Sequence, residues 1–159
     1  MIKHIKCDIF KSGAAVICHQ VNCQGVMGSG VARQIREKYP IVYKGYKALC
    51  DDRAPENLLG EAQFIDVYDD ILIGVFNIFG QLHYGYDGKC YTNYKALREA
   101  LVTVYDYMNA YFDPTTTIAF PYKFGCYRGG GDWNVVYKMI EDIFGDSDYD
   151  VLICEYNGG

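Results

Sequence analysis

The 159-residue sequence predicts a three-layer α/β/α fold, with a mixed, mostly parallel sheet of about six strands between helical layers. Three observations predict it. Short apolar, β-branched runs at residues 14–21, 117–120 and 150–156 have the length and composition of buried strands. Apolar residues at helical spacing fill the segments between such runs. Twice, the chain makes a strand, a glycine-rich loop and then a helix.

Taken in order, residues 2–7 alternate well enough for a first strand, with Asp8 directly after it, and residues 14–21 form the second. The loop NCQGVMGSG follows, with Gly25, Gly28 and Gly30 within six residues. Val31, Ile35 and Tyr39 then mark a helical face that ends before Pro40, because the residue preceding a proline is pushed out of helical geometry. Val42, Tyr46, Leu49 and Cys50 give a second helix over residues 41–50, and residues 51–58, with Pro55, read as a polar connection. Two apolar runs, 60–67 and 71–78, flank Tyr68, Asp69 and Asp70 as an antiparallel hairpin. Tyr94, Leu97, Leu101, Val104 and Met108 share one face of a long amphipathic helix. After residues 117–120 comes PYKFGCYRGGGDWNVV, where Gly125, Gly129, Gly130 and Gly131 lead to Asp132. Asp132 is placed to cap a helix that carries Trp133, Val136, Met139, Ile140 and Ile143 on one side. A last strand over 150–156 brings the helix count to four or five, and residues 157–159 are expected to fray.

A strand, glycine loop and helix can close backbone N–H groups around phosphate oxygens, since glycine permits the close approach and the helix N-terminus is partially positive. A tight connection between strand and helix would use the same residues. Neither stock phosphate motif is present. Five residues after Gly25, Gly30 is followed by Val31 rather than Lys, and the run Gly28, Ser29, Gly30 continues with Val31, Ala32 and Arg33 instead of a third glycine. Two such loops at the carboxyl ends of neighbouring strands would face one crevice, the place where open α/β sheets bind ligands, and a diphosphate would suit them.

Composition narrows the classes. A chain of this length buries about 68–70% of its unfolded surface as one domain. Sixteen tyrosines and a 50% apolar content argue against disorder. No apolar run reaches a membrane span of about 20 residues, and residues 1–4 are too polar to open a signal peptide. Seven cysteines without a C-x-x-C pair fit neither a disulfide framework nor a structural zinc site, so a reduced, cytoplasmic protein without a metal is expected. Cys18 and Cys154 read as small buried hydrophobes, whereas Cys23 and Cys126 lie inside the glycine loops. Charge is uneven: residues 1–50 carry eight Lys or Arg against Asp8 and Glu37, and the remainder seven against eighteen acids. The net charge of −5 disfavours general nucleic-acid binding, while the basic third would attract an anionic ligand.

The paired segments VNCQGVMGSGVA and PYKFGCYRGGGDW, with the opening IKCDIFKSGAAVI, resemble the macrodomain family, the ADP-ribose-binding module. The resemblance covers nearly the whole chain. It runs to the small single-domain branch of ADP-ribose-1″-phosphate phosphatases and hydrolases that release ADP-ribose from glutamate. It implies a macrodomain-like fold over residues 1–159 that takes ADP-ribose or an ADP-ribosylated substrate, with no separate cofactor, as a monomer. By the same resemblance, Asp8 meets the adenine, Ile9 beside it is a ligand-binding residue, and Asn22 and Gln81 approach the distal ribose, with Tyr84 and Gly85 in matching positions. The diphosphate falls to Gly25, Met27, Gly28, Ser29, Gly30 and Val31 of the first loop. In the second loop it falls to Phe124, Gly125, Cys126, Tyr127, Arg128, Gly129, Gly130 and Gly131.

Chemistry is less determined. Asp132 can be a catalytic carboxylate or a helix cap, and His83 a base or a loop residue. The lysine that attacks the sugar in the glutamate-linked hydrolases has no match, because no Lys lies between Lys47 and Lys89. Gly129 or a neighbour stands where their second-loop Asp is expected, and Ala32 where one deacetylase-type branch has an Asp. What remains is water-mediated hydrolysis of an ADP-ribose derivative or binding alone. An NAD-dependent oxidoreductase is disfavoured by the missing dinucleotide fingerprint.

Overall fold

The computed structural model describes residues 1–156. The expected fraying of residues 157–159 lies outside the described residues. Six strands, β1 (Ile2–Lys6), β2 (Val16–Asn22), β3 (Ala62–Asp69), β4 (Leu72–Gln81), β5 (Thr117–Pro121) and β6 (Asp150–Glu155), form one sheet in the order β1-β6-β5-β2-β4-β3. All neighbours are parallel except β3 with β4, which is the mixed, mostly parallel arrangement predicted.

Among the described residues five α-helices cover the sheet: α1 (Gly30–Lys38), α2 (Pro40–Asp52), α3 (Pro55–Leu58), α4 (Tyr94–Tyr111) and α5 (Trp133–Phe144). Successive side chains of a strand point to opposite faces, so β2 feeds two cores. Val16 and Cys18 pack with Leu97, Leu101 and Val104 of α4 and Val136, Ile140 and Phe144 of α5. Ile17 and Val21 pack on the other side with Ile35 of α1, Val42 and Tyr46 of α2, and Leu58 of α3. Full burial of each large aliphatic side chain contributes about 1.5–3 kcal/mol, which outweighs the few tenths per residue set by helix propensity. Leu101→Ala, at the centre of α4, would therefore cost about 2–5 kcal/mol.

Differences from the sequence reading have local causes. Pro40 ends α1 and also opens α2 as its first residue, where a missing N–H costs nothing. The polar connection at 51–58 contains α3, started by Pro55 and too short for periodicity to reveal. β4 runs on to Gln81 because Phe79 pairs with Val21 and Gln81 with Asn22. Among the described residues no helix is long and apolar enough to cross a membrane, and no group of three or more potential metal ligands occurs.

Candidate functional site

The five parallel strands share one carboxyl edge, and the two glycine loops leave adjacent strands, β2 and β5. These strands pair only at Val16 with Ile118 and Ile17 with Ala119, then part. A cleft of about 530 Å³ opens there, well sized for a nucleotide-like ligand. Gly28, Ser29, Gly30 and Val31 line it from the first loop, and Phe124, Gly125, Tyr127, Arg128 and Gly129 from the second. Asp8 and Ile9 belong to its β1 end, Asn22 and Gln81 to its β2 and β4 side.

Five predicted loop residues do not line the cleft and shape its walls instead. Met27 is buried in the α1/α2 core. Gly25 adopts φ +79° against Lys47, and Cys126 packs on the α4/α5 core. Gly130 adopts φ +68°, and a Cβ there would sit 2.5 Å from the Lys89 carbonyl oxygen. Gly131 donates its N–H to the Gly125 carbonyl at 3.0 Å, which closes the second loop on itself.

The first loop is held from beneath by Tyr46. Its buried hydroxyl lies 2.7 Å from the Asn22 carbonyl oxygen and 2.8 Å from Asn22 Oδ1, and it accepts from the Val26 N–H at 3.1 Å. Asn22 also accepts from the Gln24 N–H at 2.9 Å and donates to the Val26 carbonyl at 2.8 Å. Asn22 therefore closes the loop while it lines the cleft. At the loop's end Ser29 makes no side-chain cap bond to α1. The first-turn N–H groups of Gly30, Val31 and Ala32 thus have no intrahelical acceptor and belong to cleft-lining residues, an arrangement suited to an anion. By contrast, α4 and α5 are capped by Asn93 and Asp132.

His19, absent from the sequence reading, lies on the cleft floor with 2% exposure. Its tautomer follows from a directed chain. The Gly45 carbonyl can only accept, so Gln63 donates to it at 3.0 Å; Gln63 Oε1 then accepts from Asn77 Nδ2 at 3.1 Å. Asn77 Oδ1 is left to accept from His19 Nε2 at 2.6 Å. Among the described residues Nδ1 is bare, buried and without a protein partner. Burial lowers the pKa of His19 from 6.5 to about 4, against the smaller opposing effect of the Asn77 bond, so the ring is neutral near pH 7. The ring's free lone pair, on Nδ1, is closed off from solvent.

Other candidates are distributed less simply. The Asp8 carboxylate accepts from the Phe10 N–H at 3.0 Å and also lines the cleft, so its cap role leaves lone pairs for a ligand amine. Asp132 is exposed, accepts from the Asn134 N–H at 2.9 Å as the cap of α5, and does not line the cleft. His83 is exposed as well, and only its carbonyl reaches inward, accepting from Gln81 Nε2 at 2.8 Å. Burial pushes the Cys23 thiol up to about 12 and the Cys126 thiol up to about 11, with lesser contributions from neighbouring acidic groups, so both are protonated at neutral pH. Lys123, another lining residue the sequence reading missed, has φ +59° and lies 5.6 Å and 5.8 Å from the Tyr122 and Tyr127 ring centres. Arg128 lies 4.5 Å over Tyr86, completing a basic, aromatic rim of which the sequence reading named Tyr127 and Arg128.

No family model matches the chain. Over 68 residues it is 41% identical to an ADP-ribose 1″-phosphate phosphatase of Scheffersomyces stipitis, covering 38% of this chain and 39% of that protein. A Candida glabrata protein of the same name is 37% identical over 90 residues, which cover 53% of this chain and 50% of the relative. The matches thus span about two fifths to one half of these relatives' length. Across 161 residues the chain is 26% identical to the DNA ADP-ribosyl glycohydrolase of Mycobacterium bovis, covering 100% of this chain and 43% of that protein. Among solved structures, the macrodomain of Mycobacterium tuberculosis DarG superposes with a TM-score of 0.79 at 24% identity over 97% of both chains. Thermosipho africanus DarTG in complex with ADP-ribose gives 0.80 at 18% identity, over 97% of this chain and 41% of that one. The chain thus has the fold of these macrodomains, and in sequence it is similar to the ADP-ribose 1″-phosphate phosphatases.

Proposed function

We propose that the cleft binds ADP-ribose and that the protein hydrolyses an ADP-ribose derivative, either ADP-ribose-1″-phosphate or an ADP-ribosyl group linked to another molecule. The observation that carries this reading is the convergence of two glycine loops and the uncapped N-terminus of α1 on one cleft. Backbone N–H groups there suit a diphosphate. Asp8, at the β1 end, suits an exocyclic amine, which leaves the distal ribose for the Gln81 end. The names of the relatives, a phosphatase and a glycohydrolase, and the ADP-ribose complex of a structural neighbour support the same ligand.

The reaction in this reading is attack by water. In the phosphatase case water adds to phosphorus and the C1″ oxygen leaves with ADP-ribose; in the glycosidic case water adds to C1″ and the linked group departs with a proton. Protonated thiols in both loops argue against a cysteine nucleophile. Positioning and hydrogen bonds to the leaving oxygen would supply the acceleration.

The test is incubation with ADP-ribose-1″-phosphate and with glutamate- and DNA-base-linked ADP-ribose, following product. Release of ADP-ribose from one of them is the expected result. Binding without product from any would replace the enzyme reading by that of a non-catalytic ADP-ribose reader.

A further inference from the structure

A second directed hydrogen-bond chain lies on the α4/α5 side of the cleft and centres on Gln20. The Gly125 carbonyl can only accept, so the Thr92 hydroxyl donates to it at 2.7 Å. With its proton committed, Thr92 Oγ1 accepts from Gln20 Nε2 at 2.9 Å, which fixes the Gln20 amide with its nitrogen toward Thr92. The second Gln20 N–H goes to Gln81 Oε1 at 2.7 Å. That contact and the His83 carbonyl, which can only accept, fix the next amide: Gln81 holds its oxygen toward Gln20 and gives one N–H to the carbonyl at 2.8 Å. Among the described residues Gln81 Nε2 has no further protein acceptor, so one donor remains on a cleft-lining side chain.

The surroundings are built for this head group. A Cβ at Gly80 would collide with Gln20 Oε1, one at Gly125 would lie 3.0 Å from it, and one at Gly129 would crowd Thr92 Oγ1 and Gln20 Nε2. Among the described residues Gln20 Oε1 is buried without a protein partner, a desolvation cost that a purely structural glutamine would not need to bear. An amide free to flip would offer the ligand an oxygen as readily as a nitrogen.

We propose that Gln20 is a positioning residue that, together with the His83 carbonyl, holds the polarity of Gln81, so that the cleft end opposite Asp8 presents a hydrogen-bond donor. The ligand atom received there is an oxygen acceptor, a hydroxyl or leaving oxygen of the distal sugar. This rests on the ADP-ribose reading above and names the group that discriminates its distal end.

The experiment compares two ligands by calorimetry: ADP-ribose, and ADP, which lacks the distal sugar. Gln20→Met keeps length and apolar bulk while removing both donors. Its affinity for ADP-ribose should fall about five- to tenfold, with ADP affinity unchanged within about twofold. Gln81→Met should give the same loss, and the double variant no more than either single one. Equal losses for both ligands, additive losses, or no loss would overturn the role of Gln20. In the wild-type protein the Gln81 side-chain amide resonances should shift with ADP-ribose and not with ADP, a readout that does not depend on a variant folding; equal shifts with both ligands would refute the proposal. A wild-type protein that binds neither ligand refutes the ADP-ribose reading and this inference with it, whereas one that binds both without the differential refutes this inference alone.

Discussion

Acidification should destabilise the protein through His19, and the amount can be worked out. The folded ring is neutral, with a pKa of about 4 against 6.5 when free. Above pH 6.5 neither state is charged there and His19 contributes no pH dependence. As pH falls below 6.5, the unfolded chain takes up a proton that the folded chain refuses, so stability declines until the folded ring also titrates near pH 4. At about 1.4 kcal/mol per pH unit, the gap puts about 3 kcal/mol at stake, a large share of a typical 5–15 kcal/mol. Carboxylates titrate over part of the same range, so the assay is a difference: urea unfolding of wild type and His19→Gln at pH 7, 6, 5 and 4. The glutamine can still donate to Asn77 but does not titrate. The stability gap between the two proteins should close, or reverse sign, by about 3 kcal/mol between pH 7 and 4. A gap that stays constant over that range would refute the neutral, buried imidazole.

Three further substitutions probe the loops and their supports. Tyr46→Phe removes the hydroxyl that joins Asn22 to Val26, at a cost of about 1–3 kcal/mol in denaturant unfolding and a weaker affinity for ADP-ribose; unchanged binding would mean the first loop holds its shape without it. Asp132→Ala should lower stability by about 1 kcal/mol through loss of the α5 cap and leave turnover intact. Lost turnover at full stability would return the catalytic role to this carboxylate. Gly129→Ala should disturb the second loop, since a Cβ would crowd Thr92 and lie 2.5 Å from the Gly125 carbonyl oxygen; a lower melting point with weaker ADP-ribose binding is expected, and wild-type behaviour in both would show that the loop has more room.

Much of the fold is visible in the sequence because apolar periodicity and glycine placement are local properties. The runs at 14–21 and 117–120 have the composition of buried strands, and the strands observed there lie within one residue or two of them. Glycine clusters mark both loops for the same reason, and both loops line one cleft. What stayed hidden depends on partners far away in the chain. His19 sits inside an apolar run and acquires its tautomer only through Asn77, 58 residues on. Gln20 likewise needs Gln81 and Thr92, 61 and 72 residues away. His83 and Asp132 drew notice as residue types able to do chemistry, yet their side chains stay outside the cleft, where a loop carbonyl and a cap explain them. Asn22 shows the converse, a turn residue whose turn builds the wall of the cleft.

The central claim, that backbone amides of two separate loops hold one diphosphate, is tested most directly by titrating ADP-ribose into the wild-type protein and into Gly30→Glu in a calorimeter. Gly30 adopts φ +59° at the N-terminus of α1, so the variant adds both backbone strain and a negative charge where the phosphates would lie. The account predicts one-site binding by the wild type and none by the variant. No heat from the wild type, or equal affinity in the two proteins, would contradict it.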